Sequence, residues 1–210
     1  MIYIIRHGQT DQNVAHRIQG QRDFPLNATG VAQAEAAREE LTARGIVFDK
    51  VYSSPLGRAA KTAEIVSGGK VKPVFDDRLK EMDFGRFEGT DLEDMPEDLK
   101  FFFKDFTHNP APEGVEQLAD LKARLGAFLE DMKKDLLAEA GDADAADSTE
   151  AGAGTNLNVL ISTHAIALKA AMEYLTPDAC GKWWMTFVKN CAVYSFDLVD
   201  GEFTVPVEVI

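Results

Sequence analysis

The chain contains 210 residues, 45% of them hydrophobic and 27% charged, which predicts a soluble globular protein whose core needs no stabilising disulfide or metal. The formal net charge of −13 argues against nucleic acids and anionic membranes as partners, because both bind basic surfaces. No apolar run comes near the roughly 18 residues that span a membrane, and the first run is interrupted at Arg6, so we predict neither a membrane span nor a secretory signal. Cys180 and Cys191 form no disulfide framework and no metal-ligand spacing, which favours a reducing, cytoplasmic location.

Strand and helix patterns alternate along most of the chain. In order, the predicted elements are a strand over 1–5, a helix over 27–45, a strand over 46–54, a helix over 54–69, a strand over 71–75, a helix over 114–140, a strand over 156–163, a helix over 164–175 and a hairpin over 191–209. The stretch 84–115 is predicted to be irregular and partly helical. Nearly continuous apolar strands between helices favour a three-layer α/β/α fold on a mainly parallel sheet, to which the hairpin adds antiparallel edge strands.

Local signals mark the ends of several elements. Thr29 is a suitable N-cap for the first helix, and Gly45 ends it. Ser54 is predicted to cap the second helix, with Pro55 at its first position. The Asp-Gly pair at 200–201 is the predicted turn of the C-terminal hairpin.

One segment differs in composition from the rest of the chain. Residues 130–150 contain eight acidic residues and two lysines, a local charge of −6, and 138–155 contains no large apolar residue. We therefore expect a flexible acidic loop at about 138–155, within a single domain that covers 1–210.

Three predicted strands lead to residues that bind anions. The first strand runs into Arg6 and His7, the second leads to Arg58 in the first turn of the next helix, and the strand before the last helix is followed by His164. Ligands of open α/β sheets bind outside the carboxyl ends of the strands, so we predict these four side chains at one edge of the sheet. Four groups able to carry positive charge indicate an anion site there.

Phosphate is the anion that fits this set of side chains. Arginine binds phosphate oxygens bidentately, and helix N-termini supply free backbone donors. The sequence contains no P-loop, no dinucleotide-binding glycine motif and no H-E-x-x-H pattern, and neighbouring cations repel a metal ion. We therefore expect no metal and no cofactor. A histidine surrounded by arginines is kept neutral near pH 7 and can attack a phosphate directly.

Four sequence blocks resemble one known family. In chain order the blocks are RHGQTDQN at 6–13, SSPLGRAAKTAE at 53–64, LKEMDFGRFEG at 79–89 and ISTHAIAL at 161–168. Together they are similar to the motifs of the histidine phosphatase superfamily, the phosphoglycerate mutase-like proteins. The resemblance covers the chain from Met1 to about Leu168, plus the terminal strands. It implies that His7 is the nucleophile and forms a phosphohistidine.

The resemblance also implies roles for other residues. Arg6, Arg58 and His164 would bind the phosphoryl oxygens and stabilise the charge of the transition state. Glu81 would protonate the leaving oxygen and then help water to attack. The remaining family positions that contact phosphate or substrate fall on Asn13, Gln19, Gly20 and Ala165.

The residues alone leave two questions open, the identity of the acid and the role of an aromatic run. Asp83 and Glu88 lie in the same acidic stretch as Glu81, and only the family spacing selects Glu81 as the acid. The aromatic run at 101–103, with Phe106, is predicted either to pack in the core or to cap the pocket and select the alcohol part of a phosphate ester.

The chain departs from the family pattern in three places. Ala165 stands where the family usually has glycine, and its methyl group narrows the space where backbone donors approach the phosphate. The serine of the family's G-E-S block is missing from GVE at 114–116. Residues 90–106 are acidic and aromatic where mutases carry a basic segment for a second phosphate, which favours a phosphatase over a mutase.

We therefore predict a phosphomonoesterase of the histidine acid phosphatase type. It would hydrolyse a small phosphorylated metabolite through a covalent phosphohistidine, without a metal, and its partner would be a small-molecule phosphate ester. The sequence does not indicate an oligomeric state. The alternatives are a phosphoglycerate mutase and, because of Ala165, a catalytically weak phosphate-binding protein.

Overall fold

The computed structural model describes residues 1–144, 157–179 and 181–210. The strands in these ranges are β1 (Ile2–Arg6), β2 (Lys50–Ser53), β3 (Val74–Phe75), β4 (Val159–Thr163), β5 (Val193–Phe196), β6 (Leu198–Val199), β7 (Glu202–Phe203) and β8 (Val207–Glu208). The helices are α1 (Asp11–Val14), α2 (Ala28–Ala43), α3 (Gly57–Val66), α4 (Glu97–Lys104), α5 (Leu118–Asp144), α6 (Ala165–Leu175) and α7 (Lys182–Met185), with 3₁₀ helices at Asp77–Leu79, Gly85–Phe87 and Pro177–Ala179.

Six strands form one sheet in the order β3-β2-β4-β1-β5-β8. The strands β1 to β4 are parallel to one another, whereas at one edge β5 pairs antiparallel with β1, and β8 pairs antiparallel with β5. The strands β6 and β7 pair with each other in a separate hairpin. The predicted mainly parallel sheet with antiparallel C-terminal edge strands is confirmed.

The sheet is buried on both faces because successive side chains of its central strands enter two different cores. In β1, Ile2 and Ile4 pack with residues of α5 and α6, whereas Tyr3 and Ile5 pack with residues of α2 and α3. This period of two is that of an extended chain. Each fully buried aliphatic side chain stabilises the fold by about 1.5–3 kcal/mol. The result is the predicted three-layer arrangement.

Helix α2 begins at a different cap from the one predicted. Asn27 is the N-cap, and its Oδ1 accepts a hydrogen bond from Gly30 N at 2.8 Å, so the prediction of Thr29 is wrong. Asparagine caps as well as threonine does, and Thr29 already lies in the helix. At the other end Gly45 adopts a φ of 76°, and the predicted stop is confirmed.

Helix α3 starts at Gly57, so the prediction of Ser54 as its cap is wrong. Ser54 points into the protein interior, where its Oγ accepts a hydrogen bond from Leu56 N at 3.3 Å. The first helical amide, Gly57 N, donates instead to the Asp23 carboxylate at 2.8 and 2.9 Å. A carboxylate from a distant loop thus replaces a local cap.

Helix α5 extends further than predicted and includes residues 138–144 of the expected acidic loop. The alanines in this stretch explain the extension, because alanine has the highest helix propensity. Lys50 of β2 also forms an ion pair with Glu139. Residues 145–155 of the expected loop lie outside the described residues, and a flexible loop there stays a prediction.

The segment between β3 and α5 is irregular, as predicted, and contains α4. Strand β3 is shorter than predicted, since Pro73 has no N–H group to donate to a neighbouring strand. In the part of the chain that the structure describes, no helix is long and apolar enough to cross a membrane.

Two glycines allow the end of β1 to approach the first turn of α2. A Cβ atom on Gly8 would collide with the Gly30 carbonyl oxygen, and a Cβ atom on Gly30 would collide with the Gln9 carbonyl oxygen. Neither neighbour is a movable side chain. The connection that follows His7 is therefore packed directly against helical backbone.

Gly30→Ala should lower the free energy of unfolding by about 1–3 kcal/mol because of this overlap, although alanine normally stabilises a helix by about 1 kcal/mol over glycine. Urea unfolding of both proteins measures the difference. Gly126→Ala in α5 is the matched control, because its Cβ would meet only the partly exposed Tyr174 ring, and we expect a smaller loss. A Gly30→Ala variant as stable as the parent would contradict the close approach.

Candidate active site

The carboxyl ends of β1, β2 and β4 adjoin a cavity of about 220 Å³. The predicted site residues that line it are Arg6, His7, Asn13, Gln19, Gly20, Arg58, Glu81 and Ala165. His164 is fully buried beside the cavity, and its ring centroid lies 5.1 Å from that of His7. The structure therefore brings all the predicted site residues to one edge of the sheet.

His7 follows β1 and is oriented by the next residue. Its Nδ1 lies 2.6 Å from the Gly8 carbonyl oxygen, which assigns the proton to Nδ1 and leaves Nε2 as the nitrogen with a free lone pair. Burial lowers the pKa of His7 well below its usual 6.5, and the charges of Arg58 and Arg6 lower it further. The imidazole is therefore neutral at pH 7.

His164 stands at the N-cap position of α6, and its ring is turned toward Ser54. Its Nε2 lies 2.8 Å from Ser54 Oγ, which already accepts a hydrogen bond from Leu56 N. The Ser54 hydroxyl carries one proton that it can donate to Nε2, and we assign the tautomer of His164 on this basis, with its proton on Nδ1. Burial and, next, the charge of Arg58 lower the pKa of His164 well below 6.5. His164 is therefore a neutral donor.

The two arginines are held mainly by backbone carbonyl groups. Arg58 is 0% exposed and donates from Nη1 to Arg22 O at 2.8 Å and from Nη2 to Gly20 O at 2.6 Å. Arg6 donates from Nη1 to Val188 O at 2.5 Å. Burial lowers the pKa of both guanidinium groups, and the nearby Glu81 charge opposes this effect. Carbonyl acceptors fix these side chains without neutralising their charge.

Three buried hydrogen-bond donors at this edge have no acceptor in the protein. Among the described residues, five buried polar side-chain atoms lack a partner, and three of them are Arg6 Nε, Arg58 Nε and His164 Nδ1. Leaving a buried donor unpaired costs about 1–3 kcal/mol, so such groups are rare away from functional sites. Oxygens of an anion are acceptors of the kind that these donors lack.

Glu81 is the acid that reaches the cavity, and α6 holds its carboxylate. Its Oε1 accepts from Met82 N at 3.0 Å and from Ala167 N at 2.9 Å, and its Oε2 accepts from Ile166 N at 3.2 Å. The N-terminal end of a helix stabilises negative charge. We had expected the backbone donors of α6 near the phosphate, but the structure directs two of them to Glu81.

The two other candidate acids do not line the cavity. The Asp83 carboxylate accepts a hydrogen bond from Gly85 N at 2.7 Å and lies in a separate surface groove. The buried Glu88 carboxylate accepts from Gln21 N at 2.7 Å and from Arg22 N at 2.9 Å. Geometry therefore separates Glu81 from both alternatives, which composition could not do.

Helix α1 and the loop after it each supply an amide side chain whose oxygen faces Thr10. Asn13 Oδ1 accepts from Thr10 N at 3.1 Å, and Gln19 Oε1 lies 2.9 Å from Thr10 Oγ1. Their NH₂ groups are left available as donors to the cavity. Gly20 adopts a φ of 56°, and a Cβ atom there would collide with Glu88.

Sequence reasoning missed most of the cavity mouth. The additional lining residues are Arg17, Ile18, Phe84, Leu92, Phe103 and Ile166. Of the predicted aromatic run, Phe103 lines the mouth, Phe102 is fully buried in the core and Phe101 is exposed. Phe84 and Ile166 lie within two of the sequence blocks that resemble the family, close in sequence to Glu81 and His164. This proximity could have marked them as cavity residues.

The chain belongs to the histidine phosphatase superfamily. Residues 2–208 match the family model described as "Histidine phosphatase superfamily (branch 1)", which confirms the resemblance of the four blocks. Members of this superfamily are enzymes of the phosphatase and mutase type.

Two relatives that match part of the chain carry a mutase name. The chain is 44% identical to the "Probable phosphoglycerate mutase GpmB" of Proteus mirabilis over 92 residues, 43% of this chain and 42% of that one. The protein of the same name from Salmonella choleraesuis is 34% identical to this chain over 137 residues, which are 61% of this chain and 63% of that relative. The matches thus span less than two thirds of these relatives.

Solved structures share the fold over nearly the whole chain. A phosphoserine phosphatase mutant from Entamoeba histolytica, in complex with phosphoserine, has a TM-score of 0.76, 24% identity and coverage of 100% of this chain and 94% of that one. YhfR of Bacillus stearothermophilus has a TM-score of 0.73 and 29% identity, with coverage of 97% and 94%.

The two neutral histidines predict how stability depends on pH. Their folded pKa values lie below 6.5, so the unfolded chain takes up protons that the folded protein does not. Their contribution to the free energy of unfolding is fully present above pH 6.5, and it is lost as the pH falls toward the pKa values of the folded protein. At pH 5.5 we expect a loss on the order of 1 kcal/mol for each histidine.

Urea unfolding between pH 8 and 5.5 measures this loss. His7→Gln should remove about half of the pH dependence over this window. The control is His16→Asn, which replaces an exposed histidine and should leave the pH dependence of the parent. An unchanged slope in His7→Gln would mean that His7 is not held neutral.

Proposed function

We propose that the protein is a phosphomonoesterase that hydrolyses a small phosphorylated metabolite through a phosphohistidine at His7, without a metal or cofactor. The observation that carries this proposal is a neutral imidazole with a free Nε2, next to three buried donors that lack an acceptor. A nucleophile and a set of oxyanion donors at one place are what phosphoryl transfer requires.

In the first step, His7 Nε2 attacks phosphorus and the bond from phosphorus to the ester oxygen breaks. Arg6, Arg58 and His164 donate to the phosphoryl oxygens, and they stabilise the charge that these oxygens carry in the transition state. Glu81, in its protonated form, gives its proton to the leaving oxygen, so the product departs as a neutral alcohol.

In the second step, water attacks the phosphohistidine. The Glu81 carboxylate accepts a proton from the water as the new bond to phosphorus forms. The bond between Nε2 and phosphorus breaks, the electron pair returns to His7, and phosphate leaves. Glu81 is protonated again, so the cycle closes without a metal. Asn13, Gln19 and Gly20 would contact the bound phosphate ester.

The cavity mouth supports a phosphatase more than a mutase. Five of its six additional residues are apolar, and Arg17 is the one cation among them. Residues 90–106, which contribute Leu92 and Phe103, contain six acids and two lysines, a charge of −4. A mutase has to retain a doubly phosphorylated intermediate, which this segment would repel. An uncharged alcohol portion fits an apolar mouth.

A phosphoglycerate mutase is the second candidate, because the curated relatives carry that name. The proposed partner is a small-molecule phosphate ester, and two structural neighbours form complexes with such esters, phosphoserine and 3-phosphoglyceric acid. The cytoplasmic location and the absence of nucleic-acid or membrane partners stay predictions.

His7→Ala should lower the turnover of 4-nitrophenyl phosphate by at least about 10³-fold, because it removes the proposed acceptor of the phosphoryl group. The assay is run with and without a chelator, and we expect no effect of the chelator. His108→Ala, at an exposed histidine, is the control and should keep full activity. Turnover that survives in His7→Ala would contradict a phosphohistidine.

The same proteins separate the alternatives when 3-phosphoglycerate is supplied. Phosphate release supports the phosphatase, whereas conversion to 2-phosphoglycerate without phosphate release supports the mutase. A protein that binds vanadate and turns over neither compound would be the catalytically weak phosphate-binding protein.

Glu81→Gln should slow hydrolysis by about 10²–10⁴-fold for esters of poorly acidic alcohols, which need a proton on the leaving oxygen. The loss should be smaller for 4-nitrophenyl phosphate, whose leaving group is stable as an anion. Vanadate affinity should stay near that of the parent. Asp83→Asn is the matched control, and a loss in Asp83→Asn without one in Glu81→Gln would assign the acid to Asp83.

A further inference from the structure

Arg124 of α5 binds the backbone of the segment that carries Glu81. Its Nη1 donates to Arg78 O at 2.6 Å and to Lys80 O at 2.8 Å, and its Nη2 donates to Glu81 O at 3.0 Å. Arg124 does not line the cavity of about 220 Å³; it lies in the groove on the other side of this segment. Its role is therefore indirect.

Glu116 completes the hydrogen bonding of Arg124. Arg124 Nε donates to Glu116 Oε1 at 2.6 Å, and Nη2 donates to Oε2 at 2.9 Å. All five N–H donors of the guanidinium group thus have an acceptor. Glu116 also pairs with Asp83, through Glu116 N to Asp83 O at 2.8 Å and Asp83 N to Oε2 at 3.1 Å. The pair therefore holds the chain on both sides of Glu81.

The segment needs this support because residues 80–84 lie outside any helix or strand. Their backbone groups have no regular ladder of hydrogen bonds to fix them. Glu81 is held at its carboxylate by the N–H groups of Ile166 and Ala167, and at its carbonyl by Arg124. Fixing both ends keeps the acid in one position, and proton transfer depends on such positioning.

We propose that Arg124, oriented by Glu116, is a positioning residue that holds Glu81 in place to protonate the leaving oxygen. This inference rests on the proposed function of Glu81. Because the Arg124 charge also lowers the pKa of His164, a purely electrostatic role is the competing explanation. Arg124→Lys separates the two, since lysine keeps the charge and lacks the fork that reaches several carbonyls.

The test compares phenyl phosphate with 4-nitrophenyl phosphate, which needs little protonation of its leaving oxygen. We expect Arg124→Ala and Arg124→Lys to lower kcat by about 30- to 100-fold for phenyl phosphate and by only about threefold for 4-nitrophenyl phosphate. Glu116→Gln is a milder change, and it should also lower kcat more for phenyl phosphate than for 4-nitrophenyl phosphate. Lys134→Ala removes a surface ion pair of the same helix and should change neither rate.

A double variant links the effect to the acid. In a Glu81→Gln background, Arg124→Ala should cause no further loss on phenyl phosphate, because its target is already absent. Equal losses on both substrates, an additive loss in the double variant, or full activity of Arg124→Lys would overturn the inference. If Glu81→Gln itself shows no dependence on the leaving group, the proposed acid fails and the inference fails with it. If Glu81→Gln shows the dependence on the leaving group but Arg124→Ala does not, the inference about Arg124 fails and the proposed role of Glu81 stands.

Discussion

The carboxyl edge of the sheet depends on how two buried guanidinium groups are accommodated. Removing a charge from water costs several kcal/mol unless partners compensate for it. The Glu81 carboxylate lies near both Arg6 and Arg58, and Arg58 also faces the charges of Asp23 and Glu88. Backbone carbonyl groups bind the Nη atoms but leave both Nε atoms without acceptors. A bound anion would supply acceptors of the kind that these atoms lack.

The same guanidinium groups organise their surroundings before any ligand binds. They help to lower the pKa of His7, so this proposed nucleophile needs no separate base to remove a proton. Arg58 also binds the carbonyl groups of Gly20 and Arg22, while Glu88 binds the amide groups of Gln21 and Arg22. One loop is thus fixed from two sides by opposite charges, and the cavity wall that it forms is preorganised.

The strands, their order of alternation with helices and the location of the site could be predicted, because each depends on residues close together in sequence. Arg6, His7 and His164 directly follow strands, and parallel strands place their carboxyl ends at one edge. The choice of Glu81 over Asp83 was different, since it depends on the amide groups of Ile166 and Ala167, 85 and 86 residues away. The cap of α3 was predicted wrongly for the same reason, because Asp23, which binds the first helical amide, is distant in sequence.

Ala165 illustrates how such distant contacts change the meaning of a substitution. Had the first amide groups of α6 bound the phosphate, a methyl group beside them would have weakened that binding. In the structure those of Ile166 and Ala167 bind Glu81 instead, and Ala165 lines the cavity. The methyl group of Ala165 therefore does not stand beside a full set of phosphate donors, and this weakens the physical reason for expecting weak catalysis. The proposal of a phosphatase over a mutase then rests on the additional lining residues, five of which are apolar and one of which is Arg17, and on the acidic segment 90–106 beside them.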